Sequence, residues 1–196
     1  MTKAELGDMI IMLKGYSNQD KKLDERLVWI LADSVLPKLI QAKIKQDGED
    51  VVDQFLKSYT LPILSDGNKK YLQLPTYPVN INGKGLKEVS FTDGENNAFA
   101  FFMVGEDSVY WNLEAGGLVG NSKAKLQSDK VYVSGVPPLV EELLVKYVPK
   151  IKGLNPEDEI PVPSDYELDL ISMIREQLRE QKETKEDKYN DSEQLD

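Results

Sequence analysis

Tyr59-Thr60-Leu61-Pro62-Ile63-Leu64-Ser65-Asp66-Gly67-Asn68-Lys69-Lys70-Tyr71-Leu72-Gln73-Leu74 is where the chain changes its hydrophobic period, and that change decides the fold class. From Val52 onward Phe55, Tyr59 and Leu61 sit among alternating polar positions, and Leu72 and Leu74 resume the alternation after Ser65-Asp66-Gly67-Asn68. A period of two puts successive side chains on opposite faces of a strand, so the stretch predicts a β-hairpin turning at Asp66-Gly67.

Upstream the period is helical. Leu6, Met9, Ile10 and Leu13 recur at helix spacing between Thr2 and Lys14, and Gly15 ends that segment. Leu23, Leu27, Ile30, Leu31, Val35 and Leu39 describe a longer helix from about Lys21 to Gln46, which Pro37 is expected to kink or interrupt. The short link between them predicts an antiparallel pair.

Downstream, Leu74 to Gly85 contains Pro75, Pro78 and Asn82-Gly83, which forbid a central strand and favour a tight turn, so the segment reads as an extended arm. Leu86 to Phe91, Ser108 to Leu113 and Lys130 to Ser134 are strand candidates. Ala98 to Val104 fits a buried strand or a helix, and so does Leu139 to Lys150, where the alternation of Leu144, Lys146, Tyr147 and Val148 favours a strand. After Ile160-Pro161-Val162-Pro163 comes a helix with Ser164 as N-cap and Glu167 at capping-box spacing, burying Leu170, Ile171, Ile174 and Leu178. Beyond Glu180 almost no apolar residue remains, which predicts an acidic, disordered tail over 182–196. The fold class is therefore α+β: an N-terminal helical pair and a C-terminal helix around a mostly antiparallel β middle with an extended arm.

Among 196 residues there is no histidine and no cysteine. Ser-His-Asp and Cys-His hydrolases, thiolate zinc sites, iron–sulfur clusters and disulfide scaffolds are excluded, and no cofactor or metal is expected. What chemistry remains would need carboxylates, lysine or tyrosine, and the chain reads as a non-enzyme. Its formal charge of −10 and scattered lysines argue against a sequence-reading nucleic-acid binder. Met9-Ile10-Ile11-Met12-Leu13 is too short for a signal peptide and no stretch approaches the roughly 18 apolar residues of a membrane span, so a protein made and kept or assembled in the cytosol is expected.

Gly116-Gly117-Leu118-Val119-Gly120 lacks the Gly-Lys-Ser/Thr ending of a phosphate loop and reads as a turn, as does Gly83-Lys84-Gly85. Three adjacent acids, Glu157-Asp158-Glu159, cannot all face one site and read as a solvated loop. Tyr110, Trp111 and Tyr132 can stack a sugar or a base, but such residues in strands more often fill a core or an interface.

The order of elements, together with Leu72-Gln73-Leu74-Pro75, the Asn82-Gly83-Lys84-Gly85-Leu86 turn before Val89-Ser90, and Ile160-Pro161-Val162-Pro163, resembles ring or adaptor proteins in the neck of crAss-like short-tailed bacteriophages. In layout and length it is also similar to the tail tubular A adaptors. The resemblance implies one adaptor-like domain over 1–181, with hairpin and arm at 52–95. It implies a homo-oligomeric ring of 12 copies that contacts the portal protein and adjoining ring or tail proteins, in a virion assembled in the host cytoplasm. It also implies a channel through which genomic DNA passes without sequence-specific binding, and an acidic lining there would let the DNA slide. No membrane is involved. A Pro-containing arm is better interface than core, which selects Tyr77, Pro78, Ile81, Asn82 and Lys84 as interface residues. The alternatives are a carboxylate-dependent glycan or cell-wall hydrolase, needing two acids in a cleft, and a small cytosolic protein-binding regulator.

Overall fold

A computed structural model describes residues 1–13, 25–81, 85–92, 98–103 and 122–193. The fold is α+β. Where the sequence reading expects one domain, the chain forms two compact units: Met1–Gln54 with Leu154–Asp196, and Phe55–Gly153.

The first unit is helical and draws on both chain ends: α1 (Lys3–Leu13), α2 (Glu25–Asp47) and α3 (Glu167–Glu193). Leu6 and Ile10, one turn apart on α1, are fully buried. On α2 the buried stripe is Val28, Leu31, Ala32, Val35, Leu36, Leu39 and Ile40, so Ile30, expected in the stripe, faces outward. On α3 the buried stripe is Leu170, Ile171, Ile174 and Leu178, as the spacing predicts. Ser34 on α2 donates to Gln177 at 3.1 Å and Lys43 pairs with Asp169 at 2.8 Å, so α2 and α3 run antiparallel.

Three local expectations can be set against the helical unit. Helix α2 runs unbroken through Pro37. A mid-helix proline costs about 3 kcal/mol, but apolar residues buried on both sides of it each return roughly 1.5–3 kcal/mol. The capping box forms at the start of α1 instead of α3: Thr2 Oγ1 accepts from Glu5 N–H at 3.2 Å and Glu5 Oε2 accepts from Thr2 N–H at 2.7 Å. At the other helix Ser164–Tyr166 forms a 3₁₀ turn without a side-chain cap, and Glu167 Oε1 lies 2.5 Å from the Met1 amino nitrogen. Finally, α3 continues as backbone helix to Glu193, through the segment read as a disordered tail. Propagating an established helix adds one hydrogen bond per residue ordered, and Glu, Lys and Gln are good helix formers.

The second unit is built of β1 (Lys57–Pro62), β2 (Leu64–Asp66), β3 (Lys69–Gln73), β4 (Glu88–Thr92), β5 (Ala98–Ala100), β6 (Phe102–Met103), β7 (Lys123–Gln127), β8 (Lys130–Ser134) and β9 (Glu142–Tyr147). The order is β1-β9-β4-β5 in one sheet and β2-β3-β8-β7-β6 in the other; every pair is antiparallel except β6 with β7. Only Ile63 separates β1 from β2, and only Phe101 separates β5 from β6. The hydrogen-bonded order therefore closes on itself through those two corners, as in a small barrel. Ile63 N–H donates to Glu141 and Phe101 N–H to Val89, so both corners are tied by backbone bonds. Leu72, Val89, Phe101, Val131, Val133, Leu143, Val145 and Tyr147 fill a core shared by both sheets.

The Asp66↔Lys69 pairing makes Gly67-Asn68 the centre of the hairpin turn, one residue beyond the expected Asp66-Gly67. Gly67 takes φ +60, which only glycine adopts readily. The ambiguous 98–104 segment forms β5 and β6 up to Met103, and Leu139–Lys150 contains β9. The expected strand 108–113, Tyr110, Trp111 and the glycines 116–120 lie outside the described residues.

Candidate functional site

The arm is extended but does not stand free. Val79 N–H donates to Val148 at 2.8 Å, Lys150 N–H donates to Tyr77 at 2.9 Å, and Pro78 bridges Pro149. Leu74, Thr76 and Val79 are buried, and Gly153 packs so closely that an added Cβ would come within 2.8 Å of the Thr76 Cβ. Alternation explains what remains outside: Tyr77, between buried Thr76 and half-buried Pro78, is 53% exposed, and Lys150 Nζ sits 6.0 Å from its ring centroid. Ile81 is half-buried, while Asn82 and Lys84 lie outside the described residues. Of the five expected interface residues, the structure thus brings Tyr77 and Pro78 together on one backbone-pinned segment.

The lysines that look scattered along the chain converge on the outer face of the second sheet. Cross-strand register places Tyr71, Tyr132 and Lys125 in one row. Two residues to either side, the rows hold Lys69, Ser134 and Lys123, and Gln73, Lys130 and Gln127. The opposite face carries Leu72, Val131, Val133 and Ala124 in the core, which fixes the lysines outward because side chains alternate. The Tyr71 and Tyr132 rings lie 6.1 Å apart, with Lys130 Nζ 4.5 Å from the Tyr71 centroid and Lys69 Nζ 6.0 Å from that of Tyr132. The signal was present in Lys69-x-Tyr71, Lys123-x-Lys125 and Lys130-x-Tyr132, but its meaning depends on the register.

In the helical unit a cavity of about 200 Å³ is lined by Lys3, Gly7, Asp8, Trp29 and Pro156 among others. Lys3 is 8% exposed, donates from Nζ to the Leu154 carbonyl at 2.6 Å and lies 5.2 Å from the Trp29 ring centroid. Burial lowers its pKa, against the pull of Asp33 and Asp158. An ammonium so held ties α1 to the 154–158 loop. Asp158 and Glu159 belong to that tie: the Asp158 carboxylate accepts from Asn155 N–H at 2.7 Å, its carbonyl accepts from Lys3 N–H, and Glu159 bridges Thr2.

Deep in the barrel, Tyr147 is fully buried and stacks at 5.1 Å on Tyr59, and its hydroxyl, facing the Thr76 backbone and the Tyr59 side chain, makes no hydrogen bond of good geometry. Burial, then the neighbouring Tyr59, raises its pKa far above the ordinary phenol range. Among the described residues no group of three or more Asp or Glu side chains is placed to hold a metal ion, and no helix is long and apolar enough to cross a membrane. Compared with known proteins, the chain matches no family model and no curated protein.

Proposed function

We propose that this chain is a virion structural protein, a subunit of an oligomeric ring in a phage neck that connects the portal to the tail around the DNA exit channel. The resemblance in element order and short motifs supplies the reading. The observation that carries it is the set of large apolar side chains left at the surface of each unit. In the helical unit Met12 is 77% exposed and Leu168 75%, with Met9 and Ile30 also outside; in the β unit Leu139 is 95% exposed. Scattered exposed apolar residues are ordinary, but repeated exposure on several elements suits a subunit whose neighbours cover them. A heterologous head-to-tail contact then closes into a ring.

Light scattering on the purified chain, alone and mixed with a portal protein of such a phage, tests this directly. A twelvefold mass in either condition supports the ring. A monomer in both counts heavily against it, and leaves the protein-binding regulator and the carboxylate-dependent hydrolase as the readings.

A further inference from the structure

We propose that the outer face of β3, β8 and β7 binds a single strand of nucleic acid without sequence preference, its lysines on phosphates and Tyr71 and Tyr132 under bases. This goes beyond the ring reading, since it concerns a surface complete within one chain. Three features point to a strand of nucleic acid and not to an acidic protein.

The first is charge. Lys69, Lys123, Lys125 and Lys130 occupy one sheet face whose rows hold Asp66 as their acid. In a chain of net charge −10 this is a local reversal of sign, so the face attracts anions that the rest of the molecule repels. The Asp129 carboxylate in the β7–β8 turn is hydrogen-bonded by the Gln73 amide at 2.9 Å.

The second is the rings. Two tyrosines 6.1 Å apart on an outer sheet face form adjacent stacking platforms, and any base offers a π-face to them. The lysines now resting over these rings are flexible, and a base that takes the ring leaves the ammonium beside it to meet the phosphate. An acidic peptide would use the ammonium groups and leave the rings without a role.

The third is rigidity. The face is carried on paired strands of a closed barrel, with Leu72, Val131 and Val133 buried directly beneath, so rings and lysines are presented without a folding cost.

The test is fluorescence anisotropy of the full chain with a labelled oligothymidylate, over a salt series from low ionic strength. Four lysine–phosphate contacts predict that log affinity falls against log salt with a slope of about −3. Tyr132→Ala should weaken binding roughly tenfold, Tyr132→Phe should retain it, and Lys125→Glu with Lys130→Glu should abolish the salt-dependent part. Circular dichroism of each variant separates lost binding from lost fold, and Tyr132→Phe keeps the test valid if Tyr132→Ala unfolds. No binding at low salt overturns the proposal. So does equal affinity for duplex DNA with no effect of Tyr132→Ala, which would mean phosphate attraction alone. Polyglutamate bound as tightly as the oligonucleotide would assign the face to an acidic protein and also overturn it.

Discussion

Replacing Tyr147 by Phe should stabilise the protein. The ring is fully buried and packed against Tyr59, and the substitution preserves both while deleting a hydroxyl whose neighbours, the Thr76 backbone and the Tyr59 side chain, offer it no hydrogen bond of good geometry. A buried polar group without a hydrogen bond costs about 1–3 kcal/mol of desolvation. The void left behind is at most about one water-sized probe sphere, roughly 10–15 Å³, which at ~24 cal/mol per Å³ returns about 0.3 kcal/mol. The net expectation is a gain of about 1–2 kcal/mol, or a Tm higher by roughly 2–4 °C per kcal/mol for a chain of this length. Urea denaturation followed by far-UV circular dichroism measures it.

The pH dependence adds a second readout. The unfolded chain releases this phenolic proton near pH 10, while burial makes the folded chain hold it to higher pH. Above about pH 10 the folded state therefore binds more protons, and the contribution, fully present below that pH, is lost as pH rises, by no more than about 1.4 kcal/mol per pH unit. Phe has no such proton, so the variant's advantage should widen above pH 10. A variant less stable than the parent by 1 kcal/mol or more would refute the reasoning, because it would mean that the hydroxyl is bonded in the folded state.

Two further substitutions probe local packing, one within each unit. Thr2→Ala removes the side-chain half of the capping box and should cost about 0.5–2 kcal/mol in the same denaturation assay, with Thr2→Ser restoring most of it. Gly153→Ala places a Cβ within 2.8 Å of the Thr76 Cβ and 3.6 Å of its backbone, and should destabilise by about 1–3 kcal/mol; the double variant Gly153→Ala, Thr76→Gly, which removes the crowding Cβ and Oγ1, should recover part of that loss.

Much of this molecule is legible in its sequence, because period is a local property. Three helices, the hairpin around Gly67, β8 at Lys130–Ser134 and the α3 stripe all follow from spacing of apolar residues. The absence of histidine and cysteine is likewise complete at the level of composition, and it excludes whole classes of chemistry. The capping box was legible too: Thr2-x-x-Glu5 precedes buried Leu6, yet Ser164-x-x-Glu167 offers the same pattern, and only tertiary contact separates them. Glu167 meets the Met1 amino group, so its carboxylate is engaged away from Ser164.

What tertiary structure alone decided are relations between residues far apart in the chain. Barrel closure depends on single-residue corners at Ile63 and Phe101, whose significance appears only when their flanking strands join different sheets. The arm reads as a free element because its prolines forbid a central strand, but two backbone hydrogen bonds to 148–150 hold it. Lysines at 69, 123, 125 and 130 become one surface only through cross-strand register, which no local pattern specifies. Composition and period are sums over neighbours in sequence, whereas a surface is a sum over neighbours in space, and folding alone makes the two coincide.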